Sequence, residues 1–181
     1  MFWGLDANLA YQRHFPAINW LNSYSLYTNK LDEYWDAKFD AEWTPSRVEA
    51  MKILEEESSL KEIVQLVGMD ALSAPERLKL EAARSIREDF LHQNSFHEVD
   101  TYTSLEKQHD MMKLILTWYD KAEAALEQHV HLDKLIDMPV REEIGRMKYI
   151  PEKEREEKFG AIAKNLDAAF AALTEGGELD A

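Results

Sequence analysis

Two aromatic side chains stand where a ring can be offered to a ligand. Pro16 restricts the residue before it to extended geometry, so Phe15 lies outside any helix, either as an open platform or as an ordinary core aromatic. Far along the chain, Gln93-Asn94-Ser95 cannot continue an apolar stripe, and Phe96 is delivered just beyond a helix end. The other chemistry-bearing residues do not assemble into a motif. His129 and His131 straddle one residue, and His14, His92, His97 and His109 are scattered, which is not metal-ligand spacing. Carboxylates abound without forming a pair whose surroundings would split their pKa values. The chain has no G-x-x-x-x-G-K-[ST] loop, no G-x-S-x-G and no H-E-x-x-H. As an isolated chain it is not expected to catalyse anything, and no cofactor is expected on it alone.

The elements that must hold those rings read as helices. Ser73 suits an N-cap, Pro75 sits in a first turn and Glu76 completes a capping box. Leu78, Ala82 and Ile86 then recur at four-residue spacing, with Ala83 and Phe90 widening the stripe. Upstream, Leu5 to Gln12 suits a short helix, and Asn19 to Tyr27 and Lys30 to Phe39 read as helices rich in Trp and Tyr. Thr44-Pro45 starts another, with Val48, Met51 and Leu54 on its apolar side. Ser59 with Glu62 reads as a fresh capping box before Ile63, Leu66 and Val67, and Gly68 stops that helix. Thr103 with Glu106 opens a long buried helix reaching Val130. Pro139 precedes a short one from Val140 to Met147. Pro151 begins the last, with a seam of Phe159, Ile162, Leu166, Ala169 and Leu173 and a tail from Gly176 that should fray.

Composition agrees with an all-α helical bundle carrying a short extended N-terminal segment. The 181 residues suffice for one domain with a sizeable core, and strand-favouring runs are scarce. A formal charge of −14 argues against nucleic-acid binding and against docking on anionic lipid. There is no cysteine, which fits a reducing compartment, and no run long enough for direct membrane insertion.

Three stretches carry a resemblance. Gly68-Met69-Asp70-Ala71-Leu72-Ser73, continuing through Phe90-Leu91 to Phe96, resembles the C-terminal helical domain of the catalytic subunits of rotary ATPases, where an acidic loop precedes a helix and an aromatic turn follows it. Arg13-His14-Phe15-Pro16-Ala17-Ile18-Asn19-Trp20-Leu21-Asn22-Ser23-Tyr24-Ser25 and Asn94-Ser95-Phe96-His97-Glu98-Val99-Asp100-Thr101-Tyr102 are similar to the catalytic A (alpha) subunit of the V-type and archaeal-type machines. The likeness runs in family order from about Phe2 to beyond Tyr119.

The resemblance implies a division of labour. Residues 1–18 would be the remnant of a linker from a nucleotide-binding domain, and 19–181 the C-terminal helical bundle, so residues 2 to 12 should pack poorly on it. Phe15 and Phe96 would close over adenine, with Ser95 and His97 at its edge. The faces of a purine are flat and apolar, and each stacking contact contributes about 1–3 kcal/mol. ATP or ADP with Mg would be gripped mainly by the full-length subunit's phosphate loop. Asp70, Ala71, Leu72, Ser73 and Glu76 would touch the rotor. Because only Asp70 and Glu76 are acidic there, apolar contact through Leu72 is expected to matter. The implied partners are the chain's own nucleotide-binding domain, the non-catalytic B subunit and the D subunit of the central stalk. The setting would be cytoplasmic, on the periphery of a membrane-bound complex. A stand-alone acidic helical interaction module is the competing reading; it leaves the aromatic N-terminus and the ordered motifs unexplained.

Overall fold

The computed structural model describes residues 1–39 and 41–176. A two-stranded antiparallel hairpin stands at the N-terminus, and the rest is helical. Strand β1 (Phe2–Leu5) pairs with β2 (Ile18–Tyr24), Leu5 opposite Ile18 and Phe2 opposite Tyr24, with a slip between Phe2 and Gly4. Helix α1 (Ala7–Tyr11) lies between them. Its N-cap Asp6 accepts from the amides of Asn8 (2.8 Å) and Leu9 (3.3 Å) and from the side chain of Asn19 (2.9 Å). These bonds, the Asn19 one foremost, hold the Asp6 carboxyl below the usual carboxylate range.

The helix expected from Asn19 to Tyr27 is therefore a strand over most of its length. Trp20, Leu21 and Tyr24 mimic a helical stripe, but they are also strand-favouring residues, and β1 supplies the backbone partner that decides between the two. Trp20 packs on the core and Tyr24 stays exposed; Phe2, Trp3, Leu5 and Tyr11 are exposed too, as anticipated for residues 2 to 12.

Helices α2 (Thr28–Lys38) and α3 (Trp43–Val67) follow. Helix α3 runs unbroken through Ser59, so no capping box forms with Glu62; a helix that has already nucleated simply propagates through a residue that would cap a new one. Its buried side is Ala50, Ile53, Leu54, Glu57 and Leu60, while Val48 and Met51, expected inside, lie exposed. Gly68, at φ +88°, ends the helix, its N–H donating to the Val64 carbonyl at 2.9 Å. A 3₁₀ turn (Met69–Ala71) leads to Ser73, the N-cap of α4 (Ala74–Ser85).

Helix α4 passes without interruption into a π-helical turn, Ile86–Leu91. Leu78, Ala82, Ala83 and Ile86 on this rod are completely buried, packed against α3 and α5 (Leu105–Glu127). The cap of α5 is Ser104, one residue later than expected, its hydroxyl accepting from the Lys107 amide at 3.0 Å. Helix α5 ends at Glu127. His129, at φ 67°, and His131 occupy the turn into α6 (Leu132–Ile136), an element that the sequence pattern does not announce. Helices α7 (Val140–Arg146) and α8 (Arg155–Gly176) close the core through Val140, Ile144, Phe159, Ile162, Leu166 and Phe170. The fraying expected past Gly176 concerns residues outside the described ones.

Candidate functional site

The Phe15 loop and the turn carrying Phe96 meet at the C-terminal end of the α4 rod. Arg13 takes a left-handed conformation (φ 60°), which turns His14 inward, and the Phe15–Pro16 peptide is cis. The Phe15 carbonyl accepts the Gln93 N–H at 2.7 Å, tying the two segments backbone to backbone. The Phe15 ring is half exposed and Phe96 almost wholly so; neither stacks on another aromatic among the described residues. Ser95 is exposed beside Phe96.

The turn itself is built by side chains bonding back to the main chain. Asn94 N–H donates to the buried Asp100 carboxylate at 2.6 Å, and Phe96 N–H to the Asn94 side-chain oxygen at 3.1 Å. The Gln93 amide donates to the carbonyls of Asp100 (2.8 Å) and Thr101 (3.2 Å). Nδ1 of His97 accepts from the amides of Val99 (3.2 Å) and Asp100 (3.3 Å), so only Nε2 is left for a ligand edge. Behind the turn lies a cavity of about 320 Å³, walled by Pro16, Phe90, Leu91, Gln93, Tyr102 and Gln108 among others.

Residues that sequence reasoning did not single out hold the site. His14 is buried, its ring stacked on His92 at 5.0 Å and tilted against Trp20 at 5.7 Å. Lys148 Nζ donates to the carbonyls of Glu88 (2.7 Å) and His92 (3.1 Å), acceptors exposed where the π-helical turn runs out. Arg87 Nε donates to both carboxylate oxygens of the buried Glu57, at 3.0 and 3.1 Å. Burial, then Lys148 and His14, push the His92 imidazole below its ordinary pKa.

The other end of the rod is the corner at Gly68 to Ser73. Asp70 is fully exposed and within 3.9 Å of Arg77. Ala71 and Ser73 are exposed. Glu76 receives both the hydroxyl and the amide of Ser73 at 2.7 Å, and these bonds hold its carboxyl below the usual range. Leu72 departs from expectation: it is 7% exposed and turned into this chain's own core, because the corner folds back on the helices it joins. The apolar surface at the corner comes instead from Ile63, Leu66, Val67 and Met69, all exposed. Their spacing is that of an inward stripe, so the sequence pattern alone does not mark them as surface.

Comparison with known proteins identifies a family. A family model described as the C-terminal domain of V and A type ATP synthase matches residues 32–136. The chain is 56% identical over 175 residues to a V-type ATP synthase alpha chain of Clostridium botulinum, covering 97% of this chain and 28% of that protein. Corresponding alpha chains of Clostridium perfringens and Thermoanaerobacter pseudethanolicus are 55% and 54% identical over 181 residues, all of this chain and 31% and 30% of those proteins. The chain thus spans less than a third of the length of these relatives. On the match over residues 32–136, the chain belongs to the family of C-terminal domains of V and A type ATP synthases.

Proposed function

We propose that this chain supplies the adenine-facing side of the nucleotide site in the catalytic subunit of a V/A-type proton- or sodium-translocating ATPase or ATP synthase, and that its α3–α4 corner bears on the central stalk. The observation that carries the reading is the 2.7 Å bond between Gln93 N–H and the Phe15 carbonyl, which brings two distant segments together with both rings facing outward. An adenine held by Phe15 and Phe96 would gain about 1–3 kcal/mol per stacking contact. Alone, that supports affinity no tighter than roughly millimolar. Ser95 and Nε2 of His97 would make polar contact at the base edge.

The phosphates and Mg would be gripped by the nucleotide-binding domain, from which residues 1–18 would be the remnant linker into the bundle of 19–181. In this reading the chain's own contribution is to bind and orient the base. The exposed Phe2, Trp3, Leu5 and Tyr11 of the hairpin would be covered by that domain and the neighbouring B subunit. No helix among the described residues is long and apolar enough to cross a membrane; the place proposed for the chain is cytoplasmic, on the periphery of the complex. At the corner, Asp70, Ala71, Ser73 and Glu76, with Met69, Leu66 and Val67, would face the D subunit of the stalk, so that closure over nucleotide swings the rod against the rotor.

The test is nucleotide affinity in the assembled complex carrying Phe15→Ala with Phe96→Ala. A rise in Kd of tenfold or more is expected, with assembly intact. Unchanged affinity would remove the adenine reading.

A further inference from the structure

His14 is poised between two carbonyl groups. Its Nε2 lies 3.1 Å from the carbonyl of Arg87, in the π-helical turn, and its Nδ1 lies 3.3 Å from the carbonyl of Pro16, in its own loop. A carbonyl oxygen only accepts, so each contact needs a hydrogen on the ring nitrogen. Neutral imidazole carries one such hydrogen; imidazolium carries two. The Arg87 carbonyl already accepts the His92 N–H at 2.8 Å. The His14 bond is therefore not needed to complete the π-helical turn; it joins the loop to it.

The charged groups around the ring are engaged with other partners. From the π-helical turn, His92 stacks on it, and burial together with Lys148 and His14 itself keeps that neighbour toward the neutral form. The Lys148 ammonium is engaged by the Glu88 and His92 carbonyls. The Arg87 guanidinium is turned to the carboxylates of Glu57 and Glu88. The Glu88 carboxylate stands 3.9 Å from the far side of His92, and the Asp100 carboxylate also acts on that ring. From the hairpin, Trp20 presents an uncharged face.

We propose that His14, protonated on both ring nitrogens, is a positioning residue that clasps the Phe15 loop onto the π-helical turn and so fixes the Phe15 ring relative to Phe96. The assignment rests on the reading of those rings as the adenine platform. His14 touches no substrate. Of its two contacts, the one to Pro16 is the longer.

The test has two arms. In this chain, ¹⁵N NMR of the histidine rings at neutral pH should show both His14 nitrogens protonated, and exchange of the Gln93 amide should be slow. His14→Phe keeps a ring against His92 and Trp20 but has no donor, and should speed that exchange roughly tenfold or more, the loss of a charged hydrogen bond. His14→Gln keeps one donor nitrogen in place of two and should fall between. Unchanged contacts between Gly4 and Asn19 will show the hairpin still formed. In the assembled ATPase, His14→Gln should raise KM for ATP with kcat retained. A single proton on the His14 ring, or Gln93 exchange indifferent to both variants, overturns the clasp. A clasp present in the chain but no change in KM, where Phe15→Ala with Phe96→Ala does raise it, overturns the positioning role. If neither change moves KM, the adenine reading itself fails.

Discussion

Lys107 is completely buried, yet ends in a charge, which makes Lys107→Met the sharpest test of how the bundle is held. Its Nζ donates to the carbonyls of Lys148 at 2.7 Å and Ile150 at 2.8 Å, stitching the first turn of α5 to the segment that leads into α8. Methionine fills nearly the same volume, so no large cavity opens. The two carbonyls lose their donor, at about 1–3 kcal/mol for each buried acceptor left unpaired. Against that, burial holds the Lys107 ammonium below its ordinary pKa, with Glu152 and Asp100 pulling back, so the parent chain carries a desolvation cost that Met removes. The first effect should win, leaving a net loss of roughly 2–4 kcal/mol, or roughly 5–15 °C in Tm for a chain of this size. Urea unfolding at pH 7 reads it, with the slope unchanged. A second signature follows from linkage. Between the lowered folded value and the ordinary 10.5, the unfolded state binds more protons, so the parent gains stability as pH rises through that window. Lys107→Met should lose that gain. A cost under about 1 kcal/mol, or a gain in stability, would mean that desolvation outweighs the two bonds and would refute the reasoning.

Three further outcomes are expected. Gly68→Ala should cost about 1–3 kcal/mol, entirely through the backbone, because φ +88° disfavours a side chain while an added Cβ would meet nothing within 4 Å; thermal melts check it. Asp89 is pushed above the usual carboxylate range chiefly by burial, against its Ser85 bond and the pull of Lys148, Arg141 and Arg84. Its contribution is full below its ordinary value of 3.8 and lost as pH rises through the raised folded value, so Asp89→Asn should raise the neutral-pH unfolding midpoint and flatten the acid-side profile. Leu78→Ala, at a site with no exposure, should cost about 2–5 kcal/mol in denaturant unfolding.

What the sequence made legible is what is decided within a few residues. Ser73, Pro75 and Glu76 start α4 because capping is a contact among neighbours, and Gly68 stops α3 for the same reason. Pro16 and the polar Gln93-Asn94-Ser95 run keep Phe15 and Phe96 out of helices, and both rings are outside. What depends on distant partners was not legible. Strand β2 needs β1, and the inward turn of Leu72 depends on how the corner folds back. Lys148 and His14 reach the π-helical turn across sequence separations of 60 and 73 residues. The π-helical turn leaves no mark in the pattern, since an apolar stripe tolerates one extra residue.

The two proposed contact regions sit at opposite ends of one piece of structure, and that piece is stiff. Ala74 to Leu91 is roughly 27 Å of helix at about 1.5 Å per residue. A rod that long, tilted by about 10° at one end, carries the other by about 5 Å. Such transmission requires that the middle not bend. Ala82 and Ala83 let neighbouring helices approach closely, Leu78 and Ile86 lock into them, and all four are wholly buried. Arg141 adds a brace, reaching Glu81 at 3.1 Å and Ser85 at 3.3 Å while lying over the Trp118 ring at 4.3 Å. Arg87 adds another, on Glu57 of α3. These braces hold the middle and the π-helical half of the rod, and Lys79 pairs with Glu56 of α3 nearer the corner. In the motor reading, closure at the nucleotide would therefore move the corner as a solid extension of the rod, with local rearrangement confined to Met69–Ala71, whose exposed side chains hold it least.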